Sequence, residues 1–197
     1  PPSNSTGAML DMDEGTWRAQ DYVLSTGVEK VTRDDANNQW ILDLDLISGD
    51  TAKNDGEMYI DLRYDIPGYD WNGPIDLTGK TLTFKVKAPA GFLEASNSQN
   101  SPMWAQIFVK DEKYNYQYGK HVQITREGEW ITVTLIPQVG EIEEGNSKTS
   151  PAFDPRKVMH IGVKISCNKG SASAYQGQFY VQNATPIDVL NQSLGIY

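Results

Sequence analysis

The segment 103–124, MWAQIFVKDEKYNYQYGKHVQI, carries two kinds of side chain at strand spacing. Successive side chains of a strand point to opposite faces. Ala105, Ile107 and Val109 therefore share one face, and Trp104, Gln106, Phe108 and Lys110 share the other. The first set is an ordinary core face. The second mixes flat apolar rings with hydrogen-bonding groups. Tyr114, Tyr116 and Tyr118 follow at spacing two, and His121 and Gln123 continue the polar set. Rings of this kind stack on slightly electropositive C–H surfaces, while amides, ammonium groups and imidazoles serve hydroxyl rims. A sugar presents both surfaces, so the chemistry expected here is non-covalent binding.

Further residues fit the same chemistry. Trp71 lies in the Pro- and Gly-rich stretch DIPGYDWNGP, where a ring is either a packing plug or a ligand platform. Arg63 and Lys164 stand on the polar faces of two other expected strands and offer donors. Trp104 reads equally as core or platform, since tryptophan is usually mostly buried. The three tyrosines could instead close a hairpin as cross-strand pairs. Trp17, Trp40 and Trp130 open or flank strands and read as structural, and His160 has no partner visible in the sequence.

Bond-breaking chemistry has weaker support. Glycoside hydrolysis usually needs two placed carboxylates, and with 26 Asp and Glu a pair somewhere is inevitable. Asp61 and Asp65, or Glu127 and Glu129, stand in no recognisable catalytic context. The sequence holds no nucleophile elbow, zinc motif or phosphate-binding loop. Cys167 ends a probable strand and reads as a buried structural thiol.

The elements that must position these residues are short strands, expected near 8–13, 28–32, 39–46, 57–66, 81–88, 102–110, 120–124, 130–136, 159–166 and 178–182. Most alternate with period two. Leu82, Phe84 and Val86 form one inward set, Ile131, Val133 and Leu135 another, Ile161, Val163 and Ile165 a third, and Met58, Ile60 and Leu62 a fourth. The best helical pattern is the short stretch 187–194, and long loops are expected at 47–56, 90–101 and 138–154. Many short strands and almost no helix predict an all-β antiparallel β-sandwich of the jelly-roll kind. We expect one domain over residues 8–185, with 1–7 an N-terminal linker and 186–197 a C-terminal extension or linker.

The formal net charge of −9 argues against nucleic acid and acidic polymers and favours a neutral ligand. No apolar run approaches the length of a membrane span. The single cysteine, Cys167, cannot form an internal disulfide and fixes no redox compartment.

Several segments, in order, resemble the carbohydrate-binding modules of bacterial glycoside hydrolases with a galactose-binding-like β-jelly-roll fold. They are LDMDEGTW at 10–17, IDLTGKTLTFKVKAP at 75–89, MWAQIFVKD at 103–111, EWITVTLIP at 129–137, FDPRKVMHIGVKIS at 153–166 and YQGQFYVQNAT at 175–185. The resemblance is strongest to modules attached to mannanases and β-glucanases. It implies a secreted or cell-surface, non-catalytic domain. The partners it implies are a neutral β-linked polysaccharide (mannan, glucomannan or β-glucan) and a covalently linked catalytic domain.

It also implies a structural calcium between the first and last strands. The opening carboxylate falls on Asp13, with Asp11 nearby, while the closing position carries Gln182 before Asn183 where the family usually has Asp before Asn. An amide carbonyl can still supply one of calcium's oxygens. Two other classes stay open. Tyr118, His121, Gln123 and Arg63 have the residue types of a β-jelly-roll polysaccharide lyase, although their order differs. A protein-interaction sandwich would use the aromatic face as a partner interface.

Overall fold

The computed structural model describes residues 12–13, 15–65, 74–167 and 173–185. Two antiparallel sheets face each other. The strands are β1 (Arg18–Ala19), β2 (Val28–Asp34), β3 (Gln39–Ile47), β4 (Asp55–Asp61), β5 (Leu82–Lys87), β6 (Trp104–Asp111), β7 (Tyr116–Tyr118), β8 (Val122–Gln123), β9 (Ile131–Leu135), β10 (Lys148–Thr149), β11 (Val158–Ser166) and β12 (Ala174–Asn183). One sheet has seven strands in the order β1-β4-β11-β6-β7-β10, with β8 also pairing β6. The other has five, in the order β2-β3-β12-β5-β9. This is the expected antiparallel β-sandwich.

The period-two sets meet between the sheets. Met58, Ile60, Ile107, Val109, Ile161, Val163 and Ile165 come from the larger sheet and are all fully buried. Leu42, Leu46, Phe84, Val86, Phe179 and Val181 oppose them and are equally buried. Burying a side chain of this size stabilises by about 1.5–3 kcal/mol, so this alternation fixes which face of each strand turns outward. Trp17 is buried too, its ring 5.1 Å from that of Trp40 and its Nε1–H bonded to the Met12 carbonyl oxygen. Cys167 is buried, and burial raises its thiol pKa to about 11.

Several details differ from the sequence expectation. The loop expected at 90–101 contains the one-turn helix α1 (Phe92–Ala95), with Gly91 at φ +85° before it. Glu127 accepts hydrogen bonds from the Gly91 and Leu93 amides, and Phe92 is buried, so tertiary contacts hold a turn too short to show periodicity. The loop expected at 138–154 contains the edge strand β10. β4 ends at Asp61, where the expected strand ran to 66. There the Asp65 carboxylate accepts from the Asp61 amide and closes a turn. The helical stretch 187–194, the linker 1–7 and the extension 186–197 lie outside the described residues, as does the expected strand 8–13 except for Met12 and Asp13.

Candidate functional site

Strand register lays the outward side chains of the seven-stranded sheet in four cross-strand rows. Asp61, His160, Lys110 and Tyr116 form one row. Tyr59, Gly162, Phe108, Tyr118 and Lys148 form the next. Glu57, Lys164 and Gln106 follow, then Asp55, Ser166, Trp104 and Gln123. The middle rows make the floor of a groove of about 800 Å³. Tyr22, Leu24 and Ser25 line it from one loop, and Asn146 and Ser147 from another that leads into Lys148 on β10.

The floor is tightly organised. Gly162 leaves room for the Phe108 ring, which would stand 2.1 Å from any Cβ at that position. Phe108 is fully buried and stacks with Tyr118 at 5.2 Å between centroids and 28° between planes. Lys164 also lies over the Tyr118 ring, its Nζ 4.8 Å from the centroid. The Tyr118 hydroxyl donates to Glu57 Oε2 at 2.5 Å. Burial, and then the Glu57 charge, push its pKa up, so the phenol keeps its proton. Tyr118 thus has Phe108 and Lys164 against its ring and Glu57 at its hydroxyl. Tyr116 meets it edge-on at 5.3 Å and 68° and is the less encumbered ring.

Polar groups are held as firmly. Gln106 is buried and donates from Nε2 to the Gly119 carbonyl oxygen at 2.8 Å. Its Oε1 therefore faces His121 Nε2 at 2.6 Å, and His121 is the donor in that pair. Burial, and then nearby Lys164, lower the His121 pKa, which keeps the ring neutral and leaves Nδ1 as an acceptor. Lys164 bonds Asp55 Oδ2 at 3.2 Å, and Ser166 Oγ donates to Asp55 Oδ1.

Tyr114 stands at the turn between β6 and β7 with φ +63°, a backbone form unusual for a residue with a side chain. The buried Asp111 carboxylate holds that turn, accepting from the Lys113 and Asn115 amides at 2.9 and 3.0 Å and from the Asp154 amide at 3.0 Å. The result is an exposed Tyr114 ring at the groove margin.

Of the residues singled out from the sequence, Gln106, Lys110, Tyr114, Tyr116, Tyr118, His121 and Lys164 line this groove together. Trp104 and Gln123 lie one row outward, and the half-buried Trp104 ring meets His121 at 5.4 Å. Arg63 does not line the groove, because Asp61 holds its guanidinium through two hydrogen bonds of 3.0 and 2.8 Å. Trp71 lies outside the described residues. Sequence reasoning missed Tyr22, Leu24, Asp55 and Asn146. The signal available for the first two was an apolar run, Tyr22-Val23-Leu24, with no strand periodicity to bury it; all three side chains are exposed.

For the expected calcium, Asp11 lies outside the described residues. Asp13 is half-buried ahead of β1, and Gln182 on β12 gives its Nε2–H to the Asn38 carbonyl oxygen at 3.0 Å, leaving Oε1 as its one possible metal ligand. One carboxylate and one amide oxygen fall short of calcium's six to eight ligands. Among the described residues no three His, Cys, Asp or Glu side chains cluster as a metal site.

No family model matches the sequence, and no characterised protein matches it in sequence. Several solved structures are similar to it in fold. A xylan-binding module, CBM15, is 14% identical, with 90% of this chain and 96% of that chain covered and a TM-score of 0.48. A family 11 carbohydrate-binding module from Clostridium thermocellum, in complex with a β-1,3-1,4-mixed-linked tetrasaccharide, is 14% identical over 89% of this chain and 92% of that chain, with a TM-score of 0.42. An agarase is 11% identical with a TM-score of 0.49; 93% of this chain is covered but only 23% of the agarase chain.

Proposed function

We propose that this protein is a non-catalytic carbohydrate-binding module that holds a β-linked polysaccharide of the mannan, glucomannan or β-glucan type along the groove. The observation that carries the reading is the groove itself: tyrosine rings and immobilised polar groups on one rigid sheet face, walled by two loops. Sugar faces would rest on Tyr116, with Tyr114 and Tyr22 at the margins. Sugar hydroxyls would meet His121 Nδ1 and the lysine ammonium groups. Its role would be to keep a linked glycoside hydrolase near its substrate outside the cell, contributing effective concentration rather than chemistry. A calcium at Asp13 and Gln182 Oε1 belongs to the same proposal as a structural brace.

The groove's own groups favour binding over catalysis. Among the described lining residues Asp55 is the one carboxylate, and Lys164 and Ser166 engage it. Two-carboxylate hydrolysis would lack its second member there. A lyase would need a Tyr or His able to take a proton beside an arginine. The Tyr118 hydroxyl is committed to Glu57, and Arg63 to Asp61.

The test is affinity electrophoresis against mannan, glucomannan, mixed-linkage β-glucan, xylan and alginate, with a product assay on the same mixtures. Retardation without product supports the module. Unsaturated product from alginate would replace it with a lyase, and neither retardation nor product would leave a protein-interaction sandwich as the better reading.

A further inference from the structure

The charge of the groove is not the charge of the chain. The whole sequence carries −9, yet three lysines line the groove against one carboxylate. Lys164 is matched by Asp55 at 3.2 Å. The buried Glu57 beside Lys164 is a second carboxylate under the floor, and its donor, the Tyr118 hydroxyl, is neutral. Lys110 and Lys148 outnumber it, and neither forms an ion pair with any described residue. Both flank Tyr116. Lys110 is its cross-strand partner, and Lys148 Nζ lies 5.4 Å from its ring centroid. The acidic run Glu141, Glu143 and Glu144 lies in the loop before β10 and Lys148, but these side chains are exposed and none lines the groove.

A neutral sugar over Tyr116 would offer the two ammonium groups hydroxyl contacts in place of water, a near-even exchange. A sugar bearing a negative group would return charge-assisted hydrogen bonds to both. We propose that the glycan held in this groove carries an anionic substituent, a carboxylate or a sulfate, seated between Lys110 and Lys148 while its ring rests on Tyr116. This builds on the glycan-binding reading of the groove and amends it in one respect. The net charge of −9 argued for a neutral ligand, but it is an average over the chain, whereas a ligand in contact responds to the groups within about a Debye length of 10 Å.

The test uses pairs of oligosaccharides that differ in charge alone, titrated calorimetrically into the full chain. β-1,4-Mannohexaose and β-1,4-mannuronan hexasaccharide differ at C6, a hydroxymethyl group against a carboxylate. A sulfated galactan oligosaccharide and its desulfated form make the second pair. At about 20 mM salt the charged member of at least one pair should bind about tenfold tighter, and the gap should narrow at about 300 mM salt. Preference in the first pair assigns a carboxylate, and preference in the second a sulfate. Lys110→Gln/Lys148→Gln should remove the preference, with thermal unfolding confirming that the variant is folded. Tighter or equal binding of the neutral members would overturn the anionic assignment and leave the binding module standing. No binding by any of the four would overturn both. Retention of the preference in the double variant would also overturn the assignment to these two lysines.

Discussion

The Phe108 ring lies against Gly162, its cross-strand neighbour, in the space a Cβ would fill. Phe108 in turn supports Tyr118. Gly162→Ala should therefore push the Phe108 ring aside and tilt the rings above it. Over-packing of this kind costs about 1–3 kcal/mol, read as a lower urea midpoint with an unchanged slope. An unchanged midpoint would show that Phe108 has another place to go.

Tyr116 and Tyr118 should separate binding from stability. Tyr116→Ala removes the less encumbered ring and should weaken glycan binding about tenfold, close to 1.4 kcal/mol, with little change in melting temperature. Tyr118→Phe deletes only a hydroxyl, yet it leaves the buried Glu57 carboxylate without that donor. Its cost should appear in unfolding, at about 1–3 kcal/mol. Calorimetric titration and thermal melts of both variants check this. The reverse pattern would make Tyr118 the platform.

Acidification should loosen the fold through its two histidines. Burial, and then Lys164, lower the His121 pKa. Burial lowers that of His160, with Asp61 partly opposing it. A histidine whose folded pKa lies below the unfolded value of about 6.5 stabilises fully above that pH, and the contribution is lost as pH falls through the folded pKa. The melting temperature should be level between about pH 7 and 8 and should decline below about pH 6.5, as the unfolding free energy falls by at most about 1.4 kcal/mol per pH unit for each histidine. His121→Gln should remove part of the slope. A melting temperature constant from pH 8 to 5 would contradict the assignment.

Calcium is checked by chelation. If Asp13 and Gln182 help to hold an ion, excess EGTA should lower the melting temperature by several degrees and added calcium should restore it. Asp13→Asn should mimic the chelator. Equal melting temperatures with and without EGTA would remove calcium from the proposal.

Strand faces were legible in the sequence wherever alternation ran for four or more residues. Ala105, Ile107 and Val109 turn inward and Trp104, Gln106, Phe108 and Lys110 outward, as spacing alone required. Legibility failed where position depends on the chain elsewhere. Tyr114 follows the spacing of Tyr116 and Tyr118, but it sits at a left-handed turn set by Asp111 and belongs to no strand face. Arg63 has the right chemistry for a ligand but is held by Asp61, two residues away. Spacing placed Phe108 on the outer face, but the absent side chain of Gly162, its cross-strand neighbour, lets it sink out of reach. Tyr22 and Leu24 come from a loop, where no period reports which way a side chain points.

The sheet that carries the groove ends at β1 on one side and β10 on the other, each only two residues long. A strand edge is a template on which another copy of the chain can polymerise, and short edges offer few main-chain groups for it. Under the proposed function the domain would gather on a polymer surface at high local density, where edge-to-edge growth into fibrils would be a standing hazard. The two-residue margins narrow that route on the groove-bearing sheet, while the other sheet ends on the longer β2 and β9.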